Sequence, residues 1–143
     1  MAGCRVRQHA LFEGDREFGV TAHMMTEKLD QGPIIRVMRF PVLPSDDNES
    51  LPLRARDYSL ILYCAILGEI ATAGEVRLSG DRWRGPPRTW AEFRRWMTLR
   101  SSDPPDEIRR KIRAIARPHL PGPFVEPGDA RFAHVADGEP EPS

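Results

Sequence analysis

From Phe18 to Met25 the chain reads FGVTAHMM, a β-branched and aromatic run entered through Gly19, and the pattern predicts a strand. Residues 26–33, TEKLDQGP, interrupt it with polar side chains, a glycine and a proline, which is turn chemistry. Ile34 to Val42, IIRVMRFPV, then predicts a second strand with apolar and basic positions interleaved. Two strands joined by a short polar loop predict a sheet carrying a functional loop at its end. Both strands are apolar on both faces, so further sheet neighbours are expected. Residues 44–49, PSDDNE, read as a loop, and a helix is expected from Leu53 to Ala73. Leu53, Asp57, Leu60, Ile61, Cys64, Leu67 and Ala71 share one face of that helix, broadened by Ile66 and Ile70. This stripe is expected to be buried, with Cys64 as a small core hydrophobe and Gly74 as the helix stop.

Residues 81–87 are irregular in pattern, and Thr89 to Glu92 fits a capping box for a short helix with Phe93, Trp96 and Met97 on its apolar side. A second short helix is expected from Asp103-Pro104 through Ile108, Ile112 and Ile115, stopping before Pro118. Six prolines and three glycines follow in the last 26 residues, where segments 124–126 and 131–135 flank Pro127-Gly128-Asp129 as a small hairpin. Residues 137–143 read as an acidic, disordered tail. The expected organisation is thus 1–80, an extension over 81–136, and the tail.

Composition changes this picture only in part. The 143 residues are 40% hydrophobic and 29% charged, which argues against wholesale disorder. The net charge is zero, but residues 82–117 hold eleven basic and four acidic side chains, while the segments before and after are acidic. Arginine supplies 19 of the 21 positive charges, which suits a solvated helical face or a surface for phosphates. The longest apolar run, Leu60 to Leu67, is eight residues, so no membrane span is expected. Arg5 and Arg7 are not followed by an apolar stretch, so no secretory signal is read and a cytoplasmic location is expected. Two cysteines, Cys4 and Cys64, make neither a disulfide framework nor a zinc site. His9, His23, His119 and His134 show no metal-ligand spacing, and the chain has no P-loop, no G-x-G-x-x-G and no G-x-S-x-G. No metal is expected.

One feature stands out chemically: Asp30, in the run Lys28 to Ile35, KLDQGPII. A carboxylate on a tight loop between two strands is held by a rigid scaffold yet open to a ligand, as proton transfer requires. A plain turn aspartate fits the same pattern. His23, seven residues earlier, reads equally as a half-buried structural histidine.

The run from Phe18 to Ile35, FGVTAHMMTEKLDQGPII, resembles the second half of the catalytic domain of the 10-formyltetrahydrofolate-dependent formyltransferases. The family pattern there is a G-V-T-x-H-like strand and a loop ending L-D-x-G-x-I. His9 to Leu11 with Glu13-Gly14-Asp15 resembles the end of the preceding helix, and the likeness extends over residues 8 to 135. The resemblance implies an α/β fold, the second half of a formyltransferase-type, Rossmann-like sheet domain, followed by short helices and a small hairpin. It implies a one-carbon transferase that moves a formyl group from 10-formyltetrahydrofolate to a primary amine. Asp30 matches the family's aspartate, which orients a histidine and accepts the amine proton. Thr26, Glu27, Lys28, Leu29 and Asp30 would line the pterin site, supported by Thr21 and His23 on the strand.

The family's asparagine and histidine come from an upstream N-x-H motif, which this sequence does not contain; its one asparagine is Asn48. The chain therefore resembles a formyltransferase that retains the aspartate half, and by itself is expected to be nearly inactive. A misassigned start, a second polypeptide carrying the other half, or an inactive remnant acting as a binding module all fit. The extension over 82–117 best suits a sugar N-formyltransferase acting on an amino-sugar nucleotide rather than the methionyl-tRNA enzyme. Trp83, Trp90 and Trp96 among arginines form the rival reading, a partner or nucleic-acid surface, which is disfavoured because the tryptophans fit a helix core. Exposed strand edges predict self-association.

Overall fold

A computed structural model describes residues 6–27, 31–83, 90–117, 122–125 and 132–133. The chain divides into two compact units, each assembled from separated stretches. One comprises Met1–Asp15, Leu43–Leu51 and Pro87–Ser143; the other comprises Arg16–Val42 and Pro52–Pro86.

The second of these units holds the predicted strands. β1 (Glu17–His23) and β2 (Ile34–Pro41) pair antiparallel, with Val20 opposite Met38 and Thr21 opposite Val37. The amide of Val42 donates to the Arg16 carbonyl and closes the open end of the ladder at 2.9 Å. β1 is shorter than the expected 18–25, because the register shifts between Ala22 and His23 and the chain leaves the ladder at Met24. Among the described residues these two strands form a sheet of two, without the further neighbours their apolar faces predicted. Packing across the pair is aromatic: the Phe18 and Phe40 rings meet edge to face at 5.8 Å.

α1 (Val6–Glu13) lies in the first unit, and α2 (Ser50–Ala73) begins there and continues through the second. α2 starts three residues before the expected Leu53 because Asp47 caps it. The Asp47 carboxylate accepts the amides of Glu49 and Ser50, and the Ser50 hydroxyl accepts the Asp47 amide in return. Gly74, at φ +73°, ends the helix as expected. Its packed side is Tyr58, whose ring stacks on Phe40 at 4.2 Å, with Arg54 donating to the Pro41 carbonyl and Glu69 paired to Arg36.

The stripe predicted to be buried is the opposite side of α2, and it is exposed. Leu60 is 62% accessible, and Leu53, Ile61, Leu67, Ile70 and Cys64 are exposed with it, while Ile66 alone of the stripe is half-buried; Tyr63, outside the stripe, is exposed as well. The reason is that α2 is apolar nearly all the way round from Leu60 to Leu67, so periodicity does not select a face. The contacts of Phe40, Pro41 and Arg36 select it instead.

In the first unit α1 packs on α4 (Pro105–Ile115), and Leu11, Ala114 and Ile115 are buried. α3 (Trp90–Met97) sets Trp96 against His9, edge-on at 3.6 Å, and against Phe12, stacked at 4.9 Å. The expected cap Thr89 lies outside the described residues. β3 (Thr98–Leu99) pairs parallel with β4 (Phe124–Val125), which pairs antiparallel with β5 (Phe132–Ala133). The small hairpin was expected; its parallel third strand was not. The hairpin turn and the tail lie outside the described residues.

Candidate active-site loop

The loop between β1 and β2 is closed at its neck by main-chain and side-chain bonds. The Met24 amide donates to the Pro33 carbonyl at 2.9 Å, one step beyond the ladder's last pair, His23 opposite Ile34. His23 Nδ1 lies 3.0 Å from the Met24 carbonyl oxygen, which as an acceptor places the proton on Nδ1. Gly32 is buried in this neck. A side chain there would land on the carbonyl oxygen of Met24 and come within 3.3 Å of His23 Nδ1, so only glycine lets the two strands of the neck meet.

Trp83 completes the neck. Its Nε1–H donates to the Gly32 carbonyl at 2.8 Å, and its ring stands edge-on to His23 at 5.1 Å. Ser79, a few residues earlier, donates its amide to the Ile34 carbonyl at 2.8 Å. The segment after α2 thus anchors to the start of β2 and to the loop together.

Of the expected site residues, Thr21 and His23 lie on β1, and His23 is in the neck. Thr26 and Glu27 are exposed on the outgoing arm, and Gln31 on the returning one. Lys28, Leu29 and Asp30 lie outside the described residues. Met24 and Met25 are exposed at the loop entrance and give it an apolar surface. Trp83, expected with the other tryptophans in a helix core, instead lies exposed in an irregular stretch 51 positions from Gly32, and no periodic signal points to its bond there.

Asn48 is not available as a site residue. It is 3% exposed, its amide nitrogen donates to the Ile115 carbonyl at 2.8 Å, and its side-chain oxygen accepts from Gln8 Nε2 at 3.3 Å. Asn48 therefore ties α1 to the end of α4. His9 is buried on α1 against Trp96 and is likewise part of a core. Among the described residues no group of His, Cys, Asp and Glu is placed to hold a metal ion, and no helix is long and apolar enough to cross a membrane.

The family description of the formyl transferases matches residues 1–67. Methionyl-tRNA formyltransferase of Thermus thermophilus is 32% identical over 108 residues, 76% of this chain and 34% of its own length. A sugar N-formyltransferase from Shewanella superposes with a TM-score of 0.72 at 17% identity, covering 93% of this chain and 55% of that one. An N-formyltransferase from Helicobacter canadensis, solved with folinic acid and dTDP-3-aminofucose, superposes at 0.54 and 18% identity, over 80% and 41%. The two structural likenesses are of fold. The chain spans about a third of the length of the curated relatives it matches.

Proposed function

Because the chain belongs to the formyl transferase family, we propose that it serves formyl transfer from 10-formyltetrahydrofolate to a primary amine, with Asp30 as the carboxylate of the site. The observation that carries this reading is the L-D-x-G sequence in the segment joining β1 to β2, together with the neck fixed at Met24, Gly32 and Pro33. The donor supplies the formyl carbon. The acceptor nitrogen forms the new C–N bond, the bond to the folate nitrogen breaks, and Asp30 takes the proton that the acceptor sheds and returns it to the leaving nitrogen. The exposed Met24 and Met25 suit a flat heterocycle, and the exposed Thr26 and Glu27 suit its polar edge. Thr21 and His23 support the loop from β1.

In this reading residues 1–80 are the second half of the catalytic domain and 81–136 its extension, in a cytoplasmic enzyme. The acceptor is an amino-sugar nucleotide; support comes from the likeness in fold to the sugar N-formyltransferases, which includes the segment after α2. The Asn-x-His motif that completes the family's site is not within these residues, and Asn48 is committed to the core. That observation favours a second reading, a module that binds folate or a partner without catalysis.

The test is formyl transfer from 10-formyltetrahydrofolate to a dTDP-linked amino sugar, with methionyl-tRNA as the competing acceptor. It uses the chain alone and the chain mixed with a polypeptide bearing the Asn-x-His half. Transfer is expected in the mixture and falls about a thousandfold or more with Asp30→Asn. Transfer that survives Asp30→Asn within tenfold sinks the assignment of Asp30. Folate binding without transfer in any mixture selects the second reading.

A further inference from the structure

Beyond the ladder between β1 and β2 and its Met24–Pro33 extension, the neck of the loop takes a bond from outside both strands. It is the Trp83 indole N–H donated to the Gly32 carbonyl, from a segment itself pinned to Ile34 by Ser79. Trp83 is 44% exposed, so burial of its ring alone does not explain its placement. A half-wet indole gains most where its N–H has a fixed acceptor, and here that acceptor is the carbonyl beside the buried glycine of the loop. The same ring meets His23 edge-on, so it touches both arms of the neck.

We infer that Trp83 is a positioning residue: by clamping Gly32 and His23 it holds the arms of the 24–33 loop in one register, and so fixes what the loop presents to a ligand. The inference rests on the formyl-transfer reading for its bearing on catalysis, but the clamp itself does not depend on that reading.

Amide hydrogen exchange of the full chain, resolved by peptide, tests the clamp without any ligand. Trp83→Phe keeps a ring against His23 and removes the donor; Trp83→Ala removes both. Peptides covering 24–33 are expected to exchange about tenfold faster in Trp83→Phe, and faster still in Trp83→Ala, with α4 unchanged. Unchanged exchange over 24–33 in both variants overturns the inference. If a variant loses protection in α4 as well, it has unfolded, and the unmodified chain decides. There the Trp83 indole proton should exchange with water at least tenfold more slowly than a free indole, and the free rate overturns the clamp.

In the transfer assay, Trp83→Phe should lower kcat about tenfold and leave the KM for 10-formyltetrahydrofolate within twofold. Faster loop exchange with kcat unchanged overturns the positioning role. Faster loop exchange where no form of the protein transfers formyl removes the functional reading and leaves the clamp standing.

Discussion

Gly32 and Lys111 show how much a single position can carry in a small domain. At Gly32 the obstacle to a side chain is main chain, the Met24 carbonyl, which cannot swing aside as a flexible side chain would. Gly32→Ala should therefore cost about 1–3 kcal/mol, seen as a lower urea midpoint; an unchanged midpoint would show that the neck can open freely. Lys111 is 5% exposed and spends all three ammonium donors, on Asp103 at 2.6 Å, Glu107 at 3.0 Å and the Thr98 carbonyl at 3.1 Å. Burial alone would raise the Asp103 carboxyl, but the Lys111 hydrogen bond and the Arg100 amide outweigh it and hold it below the usual 3.8. A carboxyl depressed in the folded state stabilises fully above its unfolded value and loses that contribution as pH falls through its folded one. Asp103→Asn should thus cost about 3 kcal/mol at neutral pH, and the gap to the unmodified chain should shrink well below pH 3.8 in denaturation curves. A gap independent of pH would assign the loss to packing.

At the scale of elements, α2 is defined by its ends more than by its middle. Asp47 is held below 3.8 because hydrogen bonds from Ser50 and Glu49 outweigh the effect of burial, so the cap works as a carboxylate. Asp47→Ala should remove about 1 kcal/mol, detected by thermal melts at neutral pH, with the difference fading as pH drops below that value. A difference of the same size at both pH values would count against the charged cap. The β1–loop–β2 unit, the Gly74 stop and the helix ending before Pro118 were all legible in the sequence, because glycine, proline and alternating apolar residues mark them locally. What sequence reading missed has a physical cause in each case. The buried face of α2 is set by Phe40 and Arg36 rather than by periodicity, since its middle is apolar on every side. The parallel β3–β4 pair is two residues long, too short to leave a pattern. Trp83 reaches Gly32 across 51 positions, a distance at which no local rule operates. Asp30 itself is legible only as a motif, and its placement lies outside the described residues.

At the scale of the whole molecule, the exposed stripe of α2 is the feature with the largest solution consequence. An apolar strip of Leu53, Leu60, Ile61, Tyr63 and Leu67 in water invites association. The chain should sediment as more than a monomer at micromolar concentration, and Leu60→Glu with Leu67→Glu should restore the monomer. A monomer in both cases would remove the stripe as the cause. The construction of the first unit has a consequence of a different kind, for the order of events during synthesis. α1 packs on α4, and Asn48 joins Gln8 to Ile115, so two helices far apart in the sequence depend on each other. As a ribosome adds about 5–20 residues per second, the stretch from Glu13 to Pro105 keeps α1 waiting several seconds for the surface that buries Leu11. During that interval α1 is without the α4 face it packs against, and this unit closes only after translation has passed Ile115.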